Sequence, residues 1–122
     1  MQFEGIFTPI VTPYHNDFSL NGNALAETVE HLIAAGVNGI VVAGSTGEYY
    51  AQDPEERLEM MTRCAGLING RVPIVIGTGA IRTEDSIMYA KAAKKAGADA
   101  LLVATPPYAC LLYTSPSPRD RG

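Results

Sequence analysis

From Asn23 onward, apolar residues return at helical spacing as Leu25, Val29, Leu32 and Ile33, and Gly36 follows where a left-handed C-terminal cap would sit. The pattern predicts a helix between Asn23 and Ala35. GIVVAG, residues 39–44, then breaks that period with a short, continuous, β-branched run, the mark of a parallel strand buried on both faces. Asp53-Pro54-Glu55-Glu56 supplies an N-cap, a proline at the first helical position, and acids whose charge suits a helix N-terminus. Leu58, Met61, Ala65 and Ile68 form the apolar stripe of this second helix, and Asn69-Gly70 ends it. VPIVIG (72–77) predicts the next strand, Thr83 opens a third helix that Gly97 closes, and ALLVAT (100–105) predicts a further strand.

Two segments repeat. AAGVNGIVVAG (34–44) and KAGADALLVAT (95–105) align without gaps, placing Gly36 over Gly97, Val42 over Val103 and Ala43 over Ala104. A helix-to-strand module is therefore reused. With the opening FEGIFTPIVTP as a first strand, the order is β-α-β-α-β-α-β, which implies an α/β fold with right-handed crossovers and a parallel sheet. Functional residues then collect at the C-terminal ends of the strands, whether the sheet is open or closed.

Composition narrows the class. The chain has 122 residues, 47% of them hydrophobic and 18% charged, enough for one domain. A net charge of −4 without a long basic run argues against a nucleic-acid partner, which would demand clustered Lys and Arg, and against anionic membrane surfaces. No apolar segment reaches the roughly 20 residues that span a bilayer, and MQFEGIF lacks the layout of a signal peptide, so a cytoplasmic location is expected. Cys64 and Cys110 fit neither a disulfide framework nor a zinc site, and Cys64 is expected to pack within its helix. The last residues, CLLYTSPSPRDRG (110–122), differ in composition from all that precedes them. They resemble a translated sequencing-library adapter. The expected division is a folded region over 1–109 and a non-native tail over 110–122.

The chemistry concentrates in VVAGSTGEYY, residues 41–50. As a phosphate loop it lacks the GK[ST] ending, and Glu48 would repel phosphate. GTGAIR (77–82) begins like a dinucleotide fingerprint, but Arg82 takes the third glycine's place and the motif follows the third strand. As a nucleophile elbow, Ala43-Gly44-Ser45-Thr46-Gly47 is a near miss, since the next helix cap comes only at Asp53 and both histidines, His15 and His31, precede the serine. Each histidine is read as structural or solvated. In a further reading, Gly44 and Gly47 permit a tight turn while Ser45, Thr46 and nearby N–H groups bind a carboxylate. Ser45 and Thr46 satisfying only the turn's own backbone is an equal alternative.

Taken together, GIFTPIVTPY (5–14), AAGVNGIVVAGSTGE (34–48), PEER (54–57), GTGA (77–80) and AGADALLVATPPY (96–108) resemble the dihydrodipicolinate synthase and N-acetylneuraminate lyase family of class I aldolases. The resemblance runs from Gly5 to about Ala109. It implies the N-terminal half of a (β/α)₈ TIM barrel, with about four parallel strands and three helices. It also implies a lyase, synthase or dehydratase whose lysine forms a Schiff base with pyruvate or another 2-keto acid, without metal or nucleotide cofactor. By position, Thr46 and Gly47 would bind the keto-acid carboxylate, Ser45 would stand in the proton relay, and Tyr108 would match the relay tyrosine that often reaches a neighbouring subunit. The parent is therefore expected to be a homo-oligomer, a dimer or tetramer. Ser45-Thr46 in place of paired threonines leans toward the sialic-acid-lyase and sugar-acid-dehydratase branches. Glu48 is expected to hold the loop's backbone, and Tyr49 and Tyr50 to line or pack the site's mouth.

The only lysines, Lys91, Lys94 and Lys95, fall on the third helix, where none can form the Schiff base. The second relay tyrosine of the family is missing as well. A complete barrel takes about 250 residues, so the chain is expected to be an inactive half-barrel with open strand edges. Two rival readings remain at this stage: an open α/β nucleotide- or phosphate-binding module, and a serine hydrolase using Ser45.

Overall fold

The computed structural model describes residues 2–105. Within them β1 (Phe7–Pro9), β2 (Gly39–Val42), β3 (Ile74–Gly77) and β4 (Ala100–Leu102) form one sheet in the order β1-β2-β3-β4. All three pairings are parallel. The connections are α1 (Gly22–Ala34), α2 (Pro54–Ile68) and α3 (Thr83–Ala96). A sheet wound in sequence by crossovers of one hand carries all its helices on one face. That covered face holds the core: Ile40 pairs in register with Ile74 and Val42 with Ile76, and all four are buried. Leu25 and Val29 from α1 and Met60, Met61, Cys64 and Ile68 from α2 pack into the same cluster.

The opposite face explains one departure from expectation. GIVVAG was expected to be buried on both faces, yet Val41 and its partner Val75 are only half-buried. On β4, Leu102 shares this face, since its register partner is Gly77, and it is exposed, whereas Leu101, in register with Ile76, is exposed on the helix side at the sheet's edge. Four strands make an arc, and the side chains that would fill a closed barrel have nothing opposite them among the described residues.

Each helix stops for a local reason. Asn21 caps α1 by accepting from the Ala24 N–H at 3.0 Å, and Gly36 follows at φ 88°. Asp53 and Glu56 close a reciprocal capping box on α2, with Pro54 at its start. Asn69 and Gly70 then turn left-handed at φ 48° and 73°. The buried stripe of α2 runs through Arg57, Met60, Met61, Cys64 and Ile68, whereas Leu58 and Ala65 are half-buried at its margin. The stripe is rotated from the expected one because α2 also meets α3 along that margin, so two of its sides are apolar.

The opening strand is shorter than FEGIFTPIVTP suggested. The Ile10 N–H donates to the Val41 carbonyl at 2.9 Å, so the alternation of the strand turns the position of Pro9, which has no N–H, away from β2. The internal repeat has a structural counterpart. Asn38, just before β2, accepts from the Ile6 N–H at 2.8 Å, and Asp99, just before β4, accepts from the Ile74 N–H at 2.9 Å. The two modules thus reuse one side-chain anchor to start a strand against its predecessor. No helix among the described residues is long and apolar enough to cross a membrane.

Candidate active site

At the C-terminal end of β2 the chain changes direction abruptly. Ala43 adopts φ 59° while 3% exposed, which ends the strand one residue after Val42. The turn fits only because β3 presents Gly77 beside it, where any Cβ would overlap the Ala43 carbonyl. Ser45–Gly47 then forms a 3₁₀ turn, Glu48 takes a left-handed conformation at φ 58°, and Tyr49–Ala51 forms a second such turn. The Gly47 N–H donates to Gly44 O at 3.0 Å and the Glu48 N–H to Ser45 O at 3.0 Å.

Ser45 and Thr46 are exposed on this turn, at the edge of the sheet where parallel α/β folds place their chemistry. Gly47 is buried beneath them. An added Cβ there would lie 3.1 Å from the Ile10 carbonyl oxygen. The Gly47 carbonyl accepts from Thr12 Oγ1 at 2.8 Å, Gln52 Nε2 donates to that same Thr12 oxygen at 3.2 Å, and it also donates to Tyr14 Oη at 3.0 Å. A buried polar network therefore fastens the turn to the segment leaving β1. Gln52 Oε1 has no hydrogen-bond partner among the described residues.

Glu48 shapes the loop through its backbone: its carbonyl accepts from the Ala51 N–H at 2.9 Å, and its carboxylate is solvent-exposed. Tyr49 and Tyr50 line a cavity of about 250 Å³ with Gln52, Arg57, Gly79 and Tyr89. Tyr108 and the tail expected over 110–122 lie outside the described residues. His15 and His31 are both exposed, as are the three lysines of α3, and among the described residues no cluster of His, Cys, Asp and Glu could hold a metal ion. Burial pushes the Cys64 thiol up to about 12, which leaves it protonated and unreactive inside the helix packing.

One residue of the site's surroundings was not expected. Arg57 is 3% exposed, donates from Nη1 to Gly79 O at 2.5 Å and from Nη2 to Gly77 O at 3.0 Å. Its guanidinium lies 3.8 Å from the ring centre of Tyr89 and 5.0 Å from that of Tyr49. Burial lowers its pKa from the ordinary arginine value. Positions 57, 60, 61, 64 and 68 share one helical face, so the observed rotation of α2 carries a charge into the buried stripe. The same bonds commit the GTGA carbonyls to a cation, and α3 begins only at Thr83, so this segment does not form the helix-terminal phosphate cradle of a dinucleotide site.

The arrangement defines a class: a sequentially wound parallel α/β half-barrel with a hydroxyl-bearing turn at the C-terminal edge of its second strand. The chain belongs to the dihydrodipicolinate synthetase family, whose profile matches residues 2–114. It is 42% identical over 106 residues to the 4-hydroxy-tetrahydrodipicolinate synthase of Chelativorans sp., covering 87% of this chain and 36% of that protein. With the Bacillus subtilis protein of that name it shares 36% over 108 residues, 88% of this chain and 37% of the relative. The fold superimposes with a TM-score of 0.86 on the E. coli K12 prophage protein YagE, a member of the dihydrodipicolinic acid synthase family solved in complex with pyruvate, at 34% identity over 89% of this chain and 37% of that one. A chloride-inhibited dihydrodipicolinate synthase from Acinetobacter baumannii, also complexed with pyruvate, gives a TM-score of 0.84 at 39% identity, over 88% and 37% of the two chains. The chain spans little more than a third of the length of these relatives. The fold is therefore the N-terminal part of their barrel, and the isolated four- or five-stranded sheet that a nucleotide-binding module requires is set aside.

Proposed function

We propose that the chain carries the carboxylate-binding half of a Schiff-base lyase or synthase site for pyruvate or a related 2-keto acid. The observation that supports this most is the exposed Ser45-Thr46 pair on a turn held from below by Gly47 and Thr12, at the C-terminal edge of β2, in a member of this family. Thr46 would grip the substrate carboxylate, and Gly47, by lacking a side chain, would keep the turn low enough for the acid to approach. Ser45 would pass protons to Tyr108. In the parent protein a lysine beyond this chain would add to the keto carbon, and water would leave as the cationic imine forms. That imine accepts the electron pair released when the bond at the neighbouring carbon breaks. A small organic acid is then the partner, in a cytoplasmic homo-oligomer, without metal or nucleotide.

Without that lysine the chain itself forms no productive imine. Borohydride reduction in the presence of pyruvate, followed by mapping of the modified peptides, tests the assignment on both this chain and the full-length product of its gene. The full-length protein should be trapped at one lysine beyond Tyr108, while the chain shows no dominant site among Lys91, Lys94 and Lys95. Absence of a single trapped lysine in the full-length protein would remove the Schiff-base reading. A serine hydrolase would instead label at Ser45 with a fluorophosphonate probe; both histidines are exposed and neither is hydrogen-bonded to Ser45 among the described residues, which predicts no labelling.

A further inference from the structure

The turn that carries Ser45 and Thr46 is tied down from two sides. On the β1 side the tie is the Thr12–Gln52 network. On the other side Tyr49, three residues past Thr46, lays its ring against Gly79, where an added Cβ would sit 3.2 Å from the ring. The buried Arg57 guanidinium lies over that ring and also over the ring of Tyr89 of α3. We propose that Arg57 is a positioning residue: by clamping the Gly77 and Gly79 carbonyls while lying over the rings of Tyr49 and Tyr89, it sets where the Ser45–Gly47 turn stands over the end of the sheet.

The geometry favours this role over simple packing. A planar fork with donors on two nitrogens can bridge two carbonyls at once, which an ammonium cannot do with the same rigidity. The two carbonyls chosen flank Thr78 at the point where β3 ends, and Gly77 is the residue whose missing side chain admits the Ala43 turn. Shifting Gly77 therefore shifts Ala43, and the two exposed hydroxyls begin two residues later. A second route runs through the Tyr49 ring to the same loop. One buried cation thus bears on both ends of the segment that presents the hydroxyls, through Gly77 at Ala43 and through the ring of Tyr49, although it lies on α2 and faces away from solvent. Arg57 also bears a buried Nε without a hydrogen-bond partner among the described residues. A residue selected for stability alone gains little from that, since an apolar side chain would fill the same space without an unpaired donor.

The consequence for function rests on the keto-acid reading, and the test separates the two. Backbone amide exchange of the 122-residue chain is followed for wild type, Arg57→Met, Arg57→Lys and Tyr49→Ala, alongside titration with pyruvate read at the Thr46 amide. In Arg57→Met, exchange at Gly47 and Gln52 should rise by about tenfold or more while exchange at the β2 and β3 ladder positions Ile40 and Ile76 stays within about twofold. Arg57→Lys, able to satisfy one carbonyl at a time, should fall between the two. Pyruvate affinity should weaken in the same order. If Arg57→Met does not fold, Tyr49→Ala decides, because it removes the loop's side of the clamp and leaves the carbonyl bonds in place. Its loop amides should loosen as in the arginine variants. Parallel acceleration of loop and ladder exchange would show a purely structural residue and overturn the proposal, as would an unchanged loop. A wild-type chain that ignores pyruvate would defeat the keto-acid reading but leave the exchange result to judge the clamp.

Discussion

Ala43 and Glu48, at φ 59° and 58°, bracket the hydroxyl-bearing turn with two left-handed residues, neither of them glycine. Such a conformation costs an ordinary residue about 1–2 kcal/mol, and a β-branched one considerably more. Ala43 is also buried, with its carbonyl over Gly77, so it has no room to relax. Ala43→Gly should therefore be neutral or stabilise by up to about 1 kcal/mol, while Ala43→Val should destabilise by about 2 kcal/mol or more, both read from urea unfolding midpoints. Equal effects of the two substitutions would show that backbone conformation does not limit this turn. Sequence reading found the exposed pair Ser45-Thr46 here because hydroxyls between glycines are a visible pattern. It missed Ala43's conformation, since nothing about an alanine advertises a positive φ. It also missed the service of Thr12, Gln52 and Arg57, which act from other elements and meet the turn only in three dimensions.

At the scale of elements, the caps were legible because each is a local contract among neighbouring residues: Asp53 with Glu56, Asn69-Gly70 after α2, Gly97 after α3. The facing of α2 was not, because two apolar margins compete on one helix and only the packed sheet and α3 decide between them. Contacts between elements were equally out of reach. Arg71, just past α2, donates to Ile68 O and Leu67 O at 3.1 and 2.7 Å and forks onto Glu30 of α1 at 3.0 and 2.6 Å. The hydrogen bonds from Arg71 lower the Glu30 pKa below its ordinary value. A carboxylate with a folded pKa below its unfolded one adds stability above the unfolded value, and that contribution fades as pH falls through the folded value. Both side chains are substantially exposed, so the effect is small and salt-sensitive. Glu30→Gln should consequently flatten part of the acid limb of stability against pH while leaving its neutral and alkaline limb parallel to wild type. An unchanged acid limb would mean that the pair contributes nothing to folding.

For the whole molecule, the governing fact is that the described residues form a sheet of four strands, in order, with β1 and β4 as its edges. Relatives nearly three times as long continue the winding, and this chain leaves the inner face half-covered and Leu102 and Val103 exposed at the β4 edge. An uncovered parallel edge beside apolar side chains favours strand pairing between copies. The chain should self-associate as concentration rises into the micromolar range in sedimentation velocity, and Leu102→Lys, which places a charge on that edge, should shift it toward monomer. A wild-type chain monomeric throughout would argue that the edge is protected. The sequential parallel winding was legible in the sequence through its repeated module and helix-strand order, and the half-barrel through the family resemblance, whereas the one-sided burial of the strands was not, because a continuous apolar run reads the same in an open arc as in a closed barrel.

Carboxylate recognition by the Ser45–Gly47 turn is the proposal on which the function depends. It is tested most directly by following backbone amide resonances of the chain during titration with pyruvate, with Thr46→Val as the control. Saturable shifts are expected, centred on Ser45, Thr46 and Gly47, that Thr46→Val weakens strongly, without change elsewhere in the sheet. Shifts centred on another part of the fold, or shifts at the turn that survive Thr46→Val undiminished, would contradict it.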